Sequence, residues 1–269
     1  MLIMKKLLRI VVLGLIFFQP AFAGQPNLKL PKDVVSGNKY HKNIRANGTF
    51  KKYGMQVVDK KDGHPVRAGD KSIRFEVRAG DCVSSSKDCE TLRERVELTG
   101  RDFSRGTWWY AWSIYFPDNF IEVSPIRVYL GQFHTRGPKY GDEKNPPWMF
   151  FNTQREHKGG YWINNMVRVP AGYDTQLLTR EEAYGKWNDI LLNVKWTHKD
   201  NGFMKIWVND ELKFDYIGPT KRKYDVRFKF GIYRVRVFKK DTPTQIVYFD
   251  EVRVGKKKED VVGNLPPRK

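Results

Sequence analysis

After residue 23 the sequence holds no apolar run long enough to span a bilayer, which excludes a membrane helix from that part of the chain. Helix signals are almost missing: only "TREEAYGKW" reads that way, so parallel strands joined by helical crossovers are excluded. Cysteine is nearly absent, and the pair that remains, Cys82 and Cys89, is too few for an all-thiolate zinc site. Acidic residues number 30 against 49 basic ones, a net charge of +19. No strand-like run carries two carboxylates on one face; Asp250 and Glu251 of "FDEVRV" are adjacent and so point to opposite faces. That argues against a retaining glycosidase, which needs two carboxyl groups about 5–5.5 Å apart. Neither an internal repeat nor a nucleic-acid motif is visible.

What is present begins with "MLIMKKLLRIVVLGLIFFQPAFAG": a basic start, an apolar run from Ile10 to Phe18, and a small-residue "AFA" ending at Ala23. That is the build of a secretory signal peptide over 1–23, with cleavage after Ala23 and a periplasmic or secreted product expected. A retained amino-terminal anchor is the alternative. Loss of Lys5, Lys6 and Arg9 with the leader takes the charge from +19 to +16. An excess of this size suggests a polyanionic partner, and export favours an acidic polysaccharide over nucleic acid. A basic surface kept for solubility is the bland alternative. In an exported chain, two cysteines flanking the Ser-rich loop of "GDCVSSSKDCE" are expected to form a local disulfide that pins the loop.

Residues 24–68 are polar and rich in Lys, Asn and Gly, and read as an irregular arm with one or two strands near "GTFKKYGMQVV". From 69 to 255, ten short runs rich in aromatic and β-branched residues alternate with turn residues, from "KSIRFEVRAG" to "QIVYFDEVRVG". They predict one all-β domain, an antiparallel β-sandwich. The charged tail 256–269 is expected to be loosely held.

Side chains two apart in a strand share a face. In "VRFKFGIYRVRV", Phe228, Phe230 and Ile232 belong to the core, while Arg227, Lys229, Gly231 and Tyr233 face out. By the same parity Val96 and Leu98 go in and Arg93, Arg95, Glu97 and Thr99 go out. Asn193 and Lys195 of "LLNVKWTH" and Trp207 of "MKIWVND" also face out, and Gln132 and His134 of "GQFH" stand side by side. Collected on one sheet face, these groups suit a sugar chain bearing carboxylates or sulfates.

Three stretches, "RVEL" from Arg95, "GQFH" from Gly131 and "FKFGIY" from Phe228, resemble the signature strands of jelly-roll polysaccharide lyases. In the alginate lyases of that fold the pattern is Arg-x-Glu-Leu-Arg, Gln-x-His and Tyr-x-Lys-x-Gly-x-Tyr. The wider run over roughly 70–255, with "DC…CE…RERVEL" and "WWYAWSIYFP", looks most like the heparin lyase I type. Thr99 stands where the alginate lyase pattern has its second Arg, and Arg227 where it has its first Tyr; both departures point away from alginate.

The resemblance implies a β-jelly roll with a concave groove that removes the C5 proton of a uronic acid and expels the oxygen at C4. The substrate carboxylate must be neutralised first, for which Gln132 and Arg95 are the candidates. His134, with an ordinary pKa of about 6.5, is the natural base, and Tyr233, ordinarily about 10, the natural acid. Tyr233 as base, or as both, stays open. Glu97 would orient Arg95, and Lys229, Arg93, Arg227, Asn193, Lys195 and Trp207 would bind substrate. His41, His64, His157 and His198 are given no role. No cofactor is required; Asp250 is the one carboxylate suggesting a structural calcium site, and no set of about six to eight oxygen ligands can be assembled around it. The expected partner is an anionic polysaccharide alone, with no nucleic acid, no membrane once the leader is removed, and a monomeric chain. A non-catalytic glycan-binding module is the rival from another class, and a glycoside hydrolase the enzymatic one.

Overall fold

The computed structural model describes residues 30–36, 42, 44–102, 105–136, 147–153, 159–165, 174–221, 224–238, 241–263 and 265–267. The signal-peptide reading, His41, His157 and most of the loop "TRGPKYGDEKNPP" lie outside them. Two antiparallel sheets face each other. One runs in the order β10 (Asp174–Leu178), β9 (Tyr161–Asn165), β8 (Pro147–Thr153), β7 (Arg127–Arg136), β14 (Asp225–Val235), β5 (Arg93–Asp102) and β2 (Arg45–Ala46). The other runs β13 (Glu211–Ile217), β12 (Phe203–Val208), β11 (Trp187–Trp196), β6 (Gly106–Tyr115), β15 (Gln245–Gly255), β4 (Lys71–Val77) and β3 (Met55–Asp59), with β1 (Val35–Ser36) parallel to β15. Among the described residues no helix is long and apolar enough to cross a membrane.

The inward parity positions interlock as aromatic pairs. Phe133 and Phe228 meet Tyr110 and Trp112 across the sandwich, and Phe230 meets Phe75 at 5.8 Å, edge to face. Each such ring, buried from water, contributes about 1.5–3 kcal/mol. All ten predicted runs contain strands. The helix-like stretch is one turn, α1 (Arg180–Ala183), held by a capping box between Thr179 and Glu182.

The arm supplies β3 where strands were expected, near "GTFKKYGMQVV", and also β1 and β2, and its Leu30, Val34, Val35 and Ile44 join the core. Strands of two residues are too short for alternation to be read. The tail is also better held than expected: Val261 is buried, and Arg67 donates to the Pro266 carbonyl at 2.7 Å.

Candidate active site

Strands β7, β14 and β5 are neighbours, so the three stretches singled out in the sequence lie side by side on the outer face of the seven-stranded sheet. Their register sets up rows. In one row Thr99, Lys229 and Gln132 are direct partners, and in the next Glu97 pairs with Gly231. A third row crosses five strands: Trp162, Asn152, Tyr129, Tyr233 and Arg95. Paired residues of adjacent strands share a face, so each row is continuous.

Two backbone features make this alignment. A bulge in β7 turns both Leu130 and Gly131 toward the core, keeping Tyr129 and Gln132 on the outer face although they are three apart. Gly231 has φ +128°, and a Cβ there would lie 2.3 Å from the Val96 carbonyl oxygen. Only glycine fits there, between Lys229 and Tyr233.

The floor of the face is charged and buried. Glu97, 1 % exposed, accepts hydrogen bonds from the Gln132 amide, from Asn47 Nδ2 at 3.0 Å and from Arg95 Nη1 at 3.4 Å. It therefore orients Gln132 as well as Arg95. Asp88, fully buried, takes both remaining directions of Arg95, from Nε and Nη2, at 2.9 Å each. The Arg95 guanidinium lies 4.1 Å from the centre of the Tyr233 ring. Burial pushes the Tyr233 phenol up to about 12, against the pull of Arg95 and Arg93. Burial also draws the Lys229 ammonium down to about 8, with Glu97 opposing and Arg95 and Arg227 adding to the drop. Among the described residues, Thr99 Oγ1, Gln132 Oε1 and Asn152 Nδ2 are buried without a hydrogen-bond partner.

His134 shares this face but sits at one end of it, opposite Arg227, while Tyr233 lies six residues along β14. At about 3.3 Å per residue that is roughly 20 Å of strand before bulge and curvature shorten it. The two rings thus flank the Lys229–Gln132 row from opposite ends and do not share a rung. Arg93, exposed, lies beyond Arg95.

Asn193, Lys195 and Trp207 are not brought to this face: they lie on β11 and β12, in the opposite sheet. Asn193 Nδ2 donates to the Trp108 carbonyl at 3.1 Å, and Trp207 stacks on Trp109 with ring centres 5.9 Å apart. Parity separates inside from outside, but a sandwich has two outsides, and that is the reason for the correction. Sequence reasoning missed Asp88 and Tyr129. Cys89, next to Asp88, was the available signal for the first; Gly131, marking a bulge, was the signal for the second.

The cysteines pair as expected, Cys82 with Cys89, with Cα atoms 5.0 Å apart. Asp250 lies in the eight-stranded sheet and accepts backbone N–H groups from Arg67, Ala68 and Glu251, so its oxygens already face donors. Among the described residues no three His, Cys, Asp or Glu side chains group as a metal site.

A β-sandwich with buried cations, an amide and a phenol on one outer face has the build of a protein that handles an anionic polymer. Residues 40–253 match the family model described as polysaccharide lyase, and the chain belongs to that family. It is a polysaccharide lyase. Comparison with curated proteins gives no match. An endo-β-1,4-glucuronan lyase from the fungus Trichoderma reesei is similar in structure, with a TM-score of 0.58 and 18 % identity, over 80 % of this chain and 93 % of that one. A family 7 alginate lyase has a TM-score of 0.54 at 13 % identity, covering 86 % of this chain and 97 % of its own. An alginate lyase from Pseudomonas aeruginosa gives 0.51 at 18 % identity, over 74 % and 90 %. At such identities the likeness is one of fold.

Proposed function

We propose that this polysaccharide lyase cleaves a uronic-acid-containing chain by β-elimination on the outer face of the seven-stranded sheet. The observation that carries the reading is the alignment of Lys229, Gln132 and Thr99 in one row, with Tyr233 stacked on Arg95 two steps away. The uronate carboxylate lies over Lys229 and Gln132. Their donors balance its charge and stabilise the enolate-like charge that grows as the C5 hydrogen leaves. His134, at one end of this floor, takes that hydrogen, which requires the bulge and curvature of the sheet to shorten the roughly 20 Å of strand between it and Tyr233 to the span of one sugar. Tyr233, whose buried phenol keeps its proton, gives one to the C4 oxygen as the bond breaks. The row from Trp162 to Tyr129 offers rings for neighbouring sugars.

Within this class the reading favours a sulfated glycosaminoglycan of the heparin type over alginate. The +19 charge supports it, as do Arg93 and Arg227 flanking the site, Arg227 standing where the alginate lyase pattern has Tyr. The Cys82–Cys89 bond supports work outside the cytoplasm, as the leader-like start does.

The test is ultraviolet absorbance during incubation with heparan sulfate, glucuronan and alginate. Elimination leaves an unsaturated, absorbing sugar. New chain ends without absorbance would mean hydrolysis, and binding without cleavage of any of the three would mean a lectin; either outcome rejects the proposal.

A further inference from the structure

The disulfide segment lies against the start of β5 and holds Arg95 at two points, Asp88 inside the closed loop and Asp81 just before it. Asp88 is fully buried, and both its carboxylate oxygens are taken by Arg95, at 2.9 Å from Nε and from Nη2. Its backbone is tied as well: its N–H reaches the Val83 carbonyl, and its carbonyl accepts from Thr91 and Arg93. Arg95 donates its own backbone N–H to the Asp81 carbonyl at 2.8 Å. Asp81 and Asp88, the two residues that hold Arg95, are therefore the immediate predecessors of Cys82 and Cys89. The S–S bond staples one grip on Arg95 to the other.

Beyond this clamp, Arg95 touches only Glu97, at 3.4 Å, and the face of the Tyr233 ring, 4.1 Å away, among the contacts of its side chain described above. A planar guanidinium held by a bidentate carboxylate has one orientation, and here that orientation places its carbon over the ring, 4.1 Å from the centre. Released from Asp88, it keeps a single long contact to Glu97 and is free to turn. A cavity of about 240 Å³ lined by Thr49, Lys51, Gly80, Asp81, Cys82 and Arg95 opens beside the staple, giving a small thiol a route to it.

We propose that Asp88 is a positioning residue for the lyase reaction, clamping Arg95 against the Tyr233 ring, and that the Cys82–Cys89 disulfide makes the clamp depend on an oxidising environment. The proposal rests on the lyase reading for its kinetic consequence only. In the redox step a dithiol donates two electrons: the Cys82–Cys89 S–S bond breaks to two thiols while the reductant closes its own disulfide. The freed loop carries Asp88 away from Arg95, and the phenol loses its fixed support.

The test uses the full chain and has a readout that needs no turnover. In a nitrogen-15 spectrum, the Arg95 Nε–H of the oxidised protein gives a slowly exchanging signal displaced by the Tyr233 ring current, assigned by its loss in Tyr233→Leu. Asp88→Asn returns this signal to the position of ordinary arginines, and reduction of the wild type by a small dithiol does the same while the amide spectrum stays dispersed. An Arg95 signal that keeps its displacement in folded Asp88→Asn overturns the clamp. If that variant does not fold, the reduced wild type decides the matter by the same criterion. With substrate, Asp88→Asn lowers kcat roughly a hundredfold, the scale of an ångström-sized misplacement, and leaves KM within about twofold, as expected for an interaction made in the transition state. Reductant costs the wild type a similar factor and adds nothing in Asp88→Asn, because both act on one contact. A wild-type kcat in Asp88→Asn overturns the positioning role while the lyase reading stands; a wild type that cleaves nothing ends the lyase reading, and the nitrogen-15 result still decides the clamp.

Discussion

Replacing Glu97 by Gln tests the buried floor most severely. The carboxylate is 1 % exposed and accepts from three donors, the amides of Gln132 and Asn47 and the Arg95 guanidinium. Gln has the same shape but must turn an N–H toward one of those donors, and the charge facing Arg95 and Lys229 is lost. Breaking a buried ion pair by removing one partner costs about 3–5 kcal/mol. Arg95 keeps Asp88, so the low end applies, about 3 kcal/mol out of a stability on the order of 5–15 kcal/mol. In urea unfolding followed by tryptophan fluorescence, the midpoint should fall by about 1 M or more. Because Glu97 also holds the Lys229 ammonium up, Lys229 should lose its proton at a lower pH in the variant than the wild-type value of about 8. A stability loss below about 1 kcal/mol, the size of an ordinary surface change, would refute the claim that Glu97 ties Gln132, Asn47 and Arg95 together.

Lys229 has its folded pKa lowered from 10.5 to about 8, so its charge is present below that value and lost above it. KM for a polyuronide should therefore climb as pH rises through about 8, and Lys229→Gln should show a high KM with no such step in a pH series. The same shift makes the folded state bind fewer protons between about 8 and 10.5, so this group's contribution to stability rises with pH across that window. Thermal unfolding of wild type against Lys229→Gln checks the sign. Gly231→Ala places a Cβ 2.3 Å from the Val96 carbonyl at φ +128°; a loss of at least about 1–3 kcal/mol is expected, and an unchanged melting temperature would mean the strand relaxes there.

Alternation and turn residues made the sandwich legible, because a half-buried strand must expose every second side chain. The same rule brought Arg95, Glu97, Gln132, Lys229 and Tyr233 to one face, since each lies on β5, β7 or β14. It failed for Asn193, Lys195 and Trp207, whose strands present an identical pattern to the other side of the molecule. Which sheet a strand joins is a long-range matter, decided by pairings such as that of Leu191 with Ala111 and Trp207, and no local pattern encodes it. The bulge hid Tyr129, because one extra residue reverses parity. Asp88 was hidden for a different reason: its contact with Arg95 depends on how a disulfide loop folds back, which spacing alone leaves open. In the arm, β3 was legible near "GTFKKYGMQVV", while β1 and β2 were not, because strands of two residues are too short to alternate.

The central claim is that elimination takes place on the outer face of the seven-stranded sheet. The most direct measurement is the initial rate of ultraviolet absorbance on one cleaved polyuronide for Gln132→Ala and Tyr233→Phe beside Lys195→Ala and Trp207→Ala. Loss of the rate by at least about a hundredfold in the first pair, with near wild-type rates in the second, is the predicted result. Full activity in the first pair, or loss confined to the second, would place the chemistry on the other sheet and contradict the account.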